Sequence, residues 1–460
     1  MAELAAPSPA EASRDQSQEG AWPKPAYAYY VLIMITLVYT FAILDRVAIG
    51  LFVEPIKRDL GISDTQMGLL QGLAFALLYT LFGLPAGWLV DRTKRVRLLA
   101  FSLMVWSCAA VGSGMAMTFA ALFAARMVLG AGEAASTPAS TSIISDYFSP
   151  KDRPRAFSIY VLGSTIGSAL SYLLGAAAIH AANGVRAARV SWASHFYDWQ
   201  IAFMVIGAPG ILIGLLMLLT VREPIRREKA VTAEKTKSST SFADLWAHVR
   251  LNALAYTAVI GGGVLCGIMT AAQMSWFPTL FIRGFGWSAE QFGSIFALLV
   301  LPNGIIAALS ATWLMNRMIK AGRQDGPILV MLGQLAAWGV FGVAKSLAPT
   351  AELSLVFNIF TGVTGIWAIS AAITALAQIT PNQMRGQMSA VYAILTGLIA
   401  YTLGAAIVGL LTDYVFPGTG GIAPALASVF FVCGAAGSLL LLFGRKAYIQ
   451  AAKRAKAWSN

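Results

Sequence analysis

The sequence predicts an all-α integral membrane protein with twelve transmembrane helices in two pseudo-symmetric halves of six. Of its 460 residues, 57% are hydrophobic and 12% are charged, with a mean hydropathy of +0.68. A soluble domain carries about 25% charged residues, so this composition is typical of a polytopic membrane protein. Apolar runs long enough to cross a bilayer recur along the whole chain, and short motifs of the first six recur in the last six.

Charged residues, glycine and proline bound the twelve apolar runs and define the expected spans. The first half, 28–222, is expected to contain spans at 28–52, 65–90, 97–116, 119–146, 155–180 and 199–222. The second half, 251–444, is expected to contain spans at 251–281, 290–316, 327–346, 351–379, 386–412 and 424–444.

Three polar segments lie outside the expected spans. Residues 1–27 are rich in Ala, Pro, Ser and Glu, which predicts a disordered cytoplasmic tail. Residues 223–250 form a cytoplasmic linker, in which Ser241 and Asp244 fit a helix start. The apolar stripe that follows, Phe242, Leu245, Trp246 and Val249, predicts a short amphipathic helix on the membrane face. Residues 445–460 form a basic cytoplasmic tail.

The positive charge is distributed as membrane topology requires. Of the 33 Lys and Arg residues, 25 fall in the tails and one alternate set of loops, against 6 in the opposite loops. Positively charged loops stay in the cytoplasm, so both termini are expected there, in a multi-pass protein of the cell inner (plasma) membrane. The net charge of +12 therefore reflects topology, and no nucleic-acid partner is expected.

Two pairs of matching strings relate the halves. Trp88-Leu-Val-Asp91-Arg92 closes span two, and Trp313-Leu-Met-Asn316-Arg317 closes span eight, the equivalent span of the second half. Arg153 precedes Tyr160 at the start of span five, and Arg385 precedes Tyr392 by the same interval at the start of span eleven. Parallel six-span halves are the architecture of major facilitator transporters.

Four charged residues lie inside apolar spans of the first half. Arg126 and Glu133 are two helical turns apart on one predicted helix, so they share a face. Asp45 and Arg46 are a second pair of charged residues inside an apolar span, span one. A charge at the centre of a membrane span costs about 2.5 kcal/mol or more, so these residues indicate an aqueous or protein-lined interior. Such a centre is typical of a transporter.

Several motifs carry a resemblance to a known family. Gly87-Trp-Leu-Val-Asp91-Arg92-Thr-Lys94-Arg95 resembles the loop signature of the major facilitator superfamily, with Lys94 at a position where the family usually has glycine. Within the superfamily, the first half resembles the Spinster family in four strings: Asp45-Arg46, Arg126-x3-Gly130-x-Gly132-Glu133-Ala, Asp198-Trp199 and Val221-Arg-Glu-Pro224. The second half supports only the superfamily.

The resemblance implies a proton-coupled secondary active transporter that works by alternating access. Spinster-like proteins carry lysophospholipids and sphingosine-1-phosphate, which implies a lipid-like amphiphile as substrate, with protons and the lipid bilayer as the other partners. A proton-coupled carrier of small organic anions is the alternative. We expect a monomer.

The four interior charges are the candidate coupling and binding residues. Asp45 and Glu133 are expected to couple transport to protons, because a desolvated carboxylate beside an arginine can change its charge as the cavity opens. Arg46 and Arg126 are expected to bind substrate, since a guanidinium can hold a carboxylate or phosphate with two hydrogen bonds. Glu133 is also expected to bind substrate. Glu133 could also pair with Arg46. The alternative is a set of static ion pairs that only fix packing.

A second group is expected to act as a conformational latch. Asp91, Arg92 and Arg95 precede span three, near the expected start of span eleven at Arg385. Asp91 can face the positive end of that helix and so hold the halves together in one state. The alternative is a solvated run of charges.

The second half shows no charge deep inside spans seven to twelve, which predicts an apolar wall suited to an acyl chain. Its candidate cavity-lining residues are Gln273, Trp276, Asn303, Asn358, Thr361 and Trp367, each of which could equally serve packing.

The remaining function classes lack their sequence signatures. The sequence has no Gly-x4-Gly-Lys-Ser/Thr phosphate loop, so a gradient must supply the energy. It has no Gly-x-Ser-x-Gly elbow and no His/Glu metal-binding cluster, so no enzyme activity, metal or cofactor is expected. A sensor or assembly factor would need a larger domain outside the membrane than the linker.

Overall fold

Helices form nearly all of the structure, a computed structural model that describes residues 22–187, 195–226 and 242–456. Within these ranges, twelve helical segments are long and apolar enough to cross a membrane, and no strand is present. The predicted all-α fold class and number of spans are therefore confirmed.

The span bounds differ from the expected ones by a few residues at most ends. Spans one to six are Pro25–Leu51, Asp64–Arg92, Arg95–Ser113, Phe119–Tyr147, Arg153–Ala181 and Asp198–Thr220. Spans seven to twelve are Ala253–Phe285, Ala289–Lys320, Gly326–Ser346, Ala351–Ile379, Asn382–Val415 and Thr419–Ala455. Two shorter helices, Val53–Leu60 and Phe242–Leu251, follow span one and precede span seven.

Several spans are built from shorter helices. Span two divides into Asp64–Gln71 and Leu73–Arg92, span four into Phe119–Glu133 and Ser136–Tyr147, and span ten into Ala351–Val363 and Trp367–Ile379. Span eleven contains π-helical turns at Leu395–Ala400 and Leu411–Val415. The breaks in spans four and ten occupy equivalent places in the two halves.

Helix caps extend the sequence repeat between the halves. Ser63 caps span two by accepting from the backbone N–H of Gln66, and Ser288 caps span eight in the same way. Thr118 and Thr350 are the corresponding caps of spans four and ten. Ser63 and Ser288 are as far apart in the sequence as Trp88 and Trp313, and Thr118 and Thr350 are as far apart as Arg153 and Arg385. The helix starts therefore follow the same pseudo-symmetry.

The Trp-x3-Arg strings also have matching geometry. The Arg92 guanidinium lies 4.2 Å from the centre of the Trp88 ring, and that of Arg317 lies 5.3 Å from the centre of the Trp313 ring. Each arginine thus packs on the tryptophan one turn earlier at the end of its span.

Among the described residues, spans two and eleven of the two halves touch closely towards one end and not towards the other. Twelve crossings return the chain to its starting side; we call that side the terminal end, and the opposite side the far end. Near the far end, a Cβ added to Gly68 would lie 2.5 Å from the carbonyl oxygen of Ala405, so glycine allows spans two and eleven to touch. Towards the terminal end, a Cβ added to Gly83, Gly87 or Gly386 would meet no atom within 4 Å.

The polar segments are more ordered than predicted where the structure describes them. The helix of span twelve continues to Lys456, and Tyr448 is fully buried, so the residues after 444 begin as a packed helix instead of a tail. The expected linker helix exists, with Leu245 buried but Trp246 exposed. The tail at 1–27 lies outside the described residues up to residue 21, and helix begins at Pro25.

Candidate functional site

An ion pair joins spans one and four in the middle of the first half. The Arg46 guanidinium donates to a carboxylate oxygen of Glu133. Glu133 is the last residue of the helix Phe119–Glu133 and is buried, while the side chain of Arg46 keeps 18% of its surface exposed. The predicted possibility that Glu133 pairs with Arg46 is confirmed.

Aromatic rings cover the Arg46 guanidinium on the side of span two. Its central carbon lies 4.5 Å from the centre of the Phe75 ring and 4.9 Å from that of Tyr79. An arginine on aromatic faces gains cation–π attraction, which is strongest where water is excluded. The rings therefore stabilise a charge that the membrane interior would otherwise disfavour.

Arg126 and Asp45 are both buried beside this pair. Arg126 donates from Nη1 to the backbone oxygen of Asp45 at 3.2 Å, and not to its carboxylate. The Asp45 carboxylate lies within electrostatic range of Arg126 and Glu133 but forms no ion pair among the described residues. The structure thus brings all four predicted charges together while leaving the Asp45 carboxylate outside the ion pair.

Several polar atoms of this cluster are buried without a hydrogen-bond partner in the described structure. They are Nε of Arg46, Nε of Arg126, Oε2 of Glu133 and both amide atoms of Gln71. Buried polar atoms are normally paired, and exceptions often mark sites where water or a ligand binds. Gln71 is not among the predicted site residues, although a glutamine within an apolar span is itself a signal.

A small cavity separates this cluster from the second half. Arg46, Gln71, Phe75 and Arg126 line one side, and Ala271, Met274, Ser275 and Tyr401 line the other. The space open to the centre of a water-sized sphere is about 20 Å³, which is room for about one water molecule. A larger ligand needs the two halves to move apart here.

A charged cluster holds the halves together at the far end. Arg283 of span seven donates to both carboxylate oxygens of Asp64, at 2.7 and 2.6 Å, and from Nε to Glu54 at 2.5 Å. Lys57 also donates to Asp64. A two-pronged arginine–carboxylate pair is among the stronger side-chain contacts in proteins.

Asp413 of span eleven adds a second link by capping span two. Its carboxylate accepts from the backbone N–H of Asp64 at 3.2 Å, and from the N–H and hydroxyl of Thr65 at 2.7 Å each. A carboxylate is favoured at a helix N-terminus, where N–H groups are unpaired and the dipole is positive. We call these residues, Glu54, Lys57, Asp64, Thr65, Arg283 and Asp413, the far-end latch.

The predicted latch residues are not joined across the halves in this conformation. Asp91 is exposed, and its backbone oxygen accepts from Arg226 of the first half. Arg385 donates to the backbone oxygen of Thr380 at 3.1 Å within the second half. The described contacts therefore do not bring Asp91 to the start of span eleven, and Arg92 lies on Trp88.

Arg95 corrects part of the latch prediction. Its side chain is buried inside the first half, where it pairs with Asp146 and with Glu223, the latter at 3.0 Å. Glu223 also accepts from the backbone N–H of Val96 at 2.8 Å. Arg95 thus fixes the start of span three to the segment after span six, which is a structural role.

The expectation that spans seven to twelve bury no charge is wrong. Lys345, one residue from the end of span nine, is completely buried. Its ammonium donates to Gln273, Asn358 and Thr361 at 2.5, 3.0 and 3.0 Å. A lysine so near a span end is expected to reach the loops, because sequence alone does not show that the side chain turns inward.

The other expected cavity-lining residues of the second half serve packing. The indole of Trp276 donates to the backbone of Ala405 at 2.8 Å, and that of Trp367 to Ser310 at 2.9 Å. Asn303 is buried against Gly362. None of these side chains lines the small central cavity.

Comparison with known proteins agrees with this architecture. Residues 35–344 match the model of the Major Facilitator Superfamily. A solved bacterial homologue of the human lysosomal transporter Spinster, in an inward-facing and unoccupied conformation, superimposes with a TM-score of 0.76 at 24% identity over 94% of this chain and 98% of that one.

The curated relatives include Spinster homologues and sugar-acid transporters. Human protein spinster homolog 1 is 24% identical over 413 residues, covering 85% of this chain and 74% of the relative. The probable galactarate/D-glucarate transporter GudP of Escherichia coli is 24% identical over 316 residues, covering 63% of this chain and 67% of the relative. With its twelve spans and repeated halves, the chain belongs to the major facilitator superfamily and resembles the Spinster transporters within it.

Proposed function

We propose that this protein is a proton-coupled secondary transporter that works by alternating access and carries a substrate with an anionic group. The leading substrate class is a lipid-like amphiphile of the lysophospholipid or sphingosine-phosphate type. The observation that carries the proposal is the buried cluster of Asp45, Arg46, Arg126 and Glu133 at the junction of two halves whose spans two and eleven touch closely towards one end and not towards the other.

The geometry supports alternating access. The far-end latch closes one side, while spans two and eleven are separated towards the other, as in a carrier open to one compartment. The excess of Lys and Arg at the terminal end favours a cytoplasmic location for that end and for both termini. On this orientation the conformation faces inward, in the inner membrane of a bacterial-type cell.

Arg126 is the proposed anion ligand. It is buried, it lines the central cavity, and its Nε has no partner among the described residues. A guanidinium stays charged in such surroundings and presents a planar fork to a carboxylate or phosphate. Arg46 and Glu133 complete the head-group site, and Asp45 is the proposed proton carrier, with Glu133 assisting.

A small organic anion is the second candidate, and two observations favour it. The relatives include a probable sugar-acid transporter. The second half also buries Lys345 behind its side of the central cavity, whereas the lipid interpretation predicts no buried charge there. Both candidates share an anionic group, which is the chemistry that Arg126 would recognise.

Transport by the purified protein in liposomes tests the proposal. Radiolabelled lysophosphatidate and D-glucarate are offered with and without an imposed pH gradient. We expect gradient-driven uptake of one of them, and loss of that uptake in Arg126→Gln. Arg97→Gln, which changes an exposed arginine on span three, is the matched control and should keep wild-type uptake. Uptake of neither compound, or full uptake by Arg126→Gln, would contradict the proposal.

A further inference from the structure

The Lys345 ammonium is enclosed by a cage of side chains that has no role in the proposed transport mechanism. A lysine one residue from a span end normally extends its flexible chain to the water. Here the chain turns inward, and the residue has no exposed surface. Three oxygen acceptors on spans seven and ten match the three N–H donors of an ammonium group.

Aromatic rings complete the cage. The ammonium nitrogen lies 4.7, 5.0 and 5.5 Å from the ring centres of Phe277, Phe430 and Trp338. Neutral acceptors and ring faces both stabilise a positive charge. No carboxylate of the described residues lies within ion-pair distance of Lys345, so its charged form is solvated by neutral acceptors and ring faces alone.

The cage gives the interior a net charge. In the state in which Asp45 has released its proton, Asp45, Arg46, Arg126 and Glu133 contribute two negative and two positive charges and cancel. Lys345 then leaves one uncompensated positive charge in a region of low dielectric constant, where charges act over longer distances than in water. An anion that enters the centre would balance it, whereas a cation or a neutral molecule would not.

Span seven connects the cage to the central cavity. Gln273 accepts from Lys345 and donates to Asn358 at 3.2 Å, while the next two residues, Met274 and Ser275, line the cavity. The ammonium therefore acts from behind the cavity wall. It does not touch the cavity itself.

Resting on the proposed function, we propose that Lys345 is a specificity-determining residue: a fixed positive charge in the second half that makes the central site prefer an anionic substrate over an uncharged analogue. The anion is recognised directly by Arg126, and Lys345 biases that recognition through the field it creates in the cavity.

Two variants that both remove the net positive charge of the cage test whether charge or packing determines the preference for an anion. Lys345→Met removes the ammonium and keeps the length of the side chain. Asn358→Asp keeps the lysine and the cage but places a carboxylate against the ammonium, where Asn358 Oδ1 now accepts at 3.0 Å. Ser346→Ala removes a buried hydroxyl next to Lys345 whose described hydrogen bond stays within span nine, so it leaves the cage and its charge intact and is the matched control.

Binding to the purified full-length protein is compared for two pairs of probes, D-galactonate with galactitol, and lysophosphatidate with the monoacylglycerol of the same chain length. In both charge variants we expect the preference for the bound anion over its neutral partner to fall about tenfold, the effect of unit charges about 10 Å apart at an effective dielectric constant near 20. Ser346→Ala should keep the wild-type preference.

The outcomes distinguish this proposal from the function on which it rests. If the wild type prefers an anion but neither charge variant changes that preference, the assignment to Lys345 is wrong and the transporter proposal stands. An equal loss in Ser346→Ala would show that packing in this part of span nine, and not the charge of Lys345, sets the preference. If Lys345→Met does not fold, Asn358→Asp alone decides. A wild type with no preference for either anion overturns the Lys345 proposal directly, and the proposed anion ligand Arg126 with it.

Discussion

At the scale of single residues, Asp45 is the carboxylate of the central cluster that forms no ion pair with a described residue. Arg46 is occupied by Glu133, and Arg126 donates to the backbone of Asp45, so no described residue forms an ion pair with the Asp45 carboxylate. A buried carboxylate without such a partner is costly to keep ionised, whereas the protonated acid is neutral. This asymmetry is what a proton carrier requires.

We therefore expect Asp45→Asn to abolish uptake driven by a pH gradient while substrate still binds. The amide has the shape of the protonated acid but cannot release a proton. Uptake into proteoliposomes with and without the gradient, beside a binding measurement, checks this. Asp152→Asn, in the loop between spans four and five, is the control and should behave as wild type. Gradient dependence that survives in Asp45→Asn would remove Asp45 from the coupling mechanism.

The residues that sequence can predict are those whose position inside a span is unambiguous. Arg126 and Glu133 stand in the middle of an apolar run, so their spacing alone places them on one face and at one site. Lys345 stands at a span end, where the sequence does not distinguish a lysine that reaches water from one that turns inward. Its burial depends on Gln273 and Asn358, which come from other spans, so only the tertiary structure reveals it.

At the scale of elements, the far-end latch decides which side of the molecule is closed. Asp413 caps the helix that begins at Asp64, and Asp64 in turn binds Arg283, so spans two, seven and eleven meet at one point. Hydrogen bonds to a charged group contribute about 1.5–3 kcal/mol each, which is enough to bias a two-state equilibrium tenfold or more.

We expect Asp413→Asn to shift the protein towards the state in which the far end is open. The amide loses the negative charge that the helix N-terminus favours, and only its oxygen can accept from Thr65. Distances between spin labels on the far-end loops, measured by pulsed electron paramagnetic resonance, should lengthen. Thr65→Ser retains the hydroxyl donor to Asp413 and should leave the distances unchanged. An unaltered distribution in Asp413→Asn would mean that the Arg283 ion pairs and the glycine contacts hold this end without Asp413.

Helix ends are predictable where the sequence changes between polar and apolar residues. They are missed where a packed helix continues beyond such a change. Ser63 and Ser288 start spans at the polar residues that sequence marks as helix starts. The sequence predicts an end of span twelve at residue 444 because a basic run follows. The helix continues because Arg445 pairs with Asp325 at 2.7 Å and an apolar stripe is buried beyond it, formed by Tyr448, Ala451 and Ala452.

At the scale of the whole molecule, the two ends carry different sets of charges, and in the described structure the far-end set is joined across the halves. The far-end latch is formed in this conformation, whereas Asp91 and Arg385, at the terminal end, make their described contacts within their own halves. A carrier that alternates needs a separate set of contacts for each closed state. Asp91 is free to face the start of span eleven once the terminal end closes.

We expect Asp91→Asn to weaken the state in which the terminal end is closed. The distribution of distances between labels on the terminal-end loops should move towards longer values, with substrate affinity unchanged in the open state. Asp152→Asn again provides a control at the same end of the molecule. An unchanged distribution combined with weaker substrate binding would make Asp91 a binding residue and contradict its assignment to a latch.

The nature of the substrate is decided by how the whole cavity, and not one residue, contributes to binding. If the substrate is an amphiphile, its head group binds at Arg126 and its chain lies along the second half, so each methylene removed from water should strengthen binding by up to about 0.8 kcal/mol. A lysophosphatidate series of increasing chain length, with glycerol 3-phosphate as the head group alone, measures this increment. Arg126→Gln should weaken every member by a similar factor and leave the increment unchanged, since the arginine contacts only the head group. Affinity that is independent of chain length, with glycerol 3-phosphate or D-glucarate bound as tightly as any lipid, would reject the amphiphile in favour of the small organic anion.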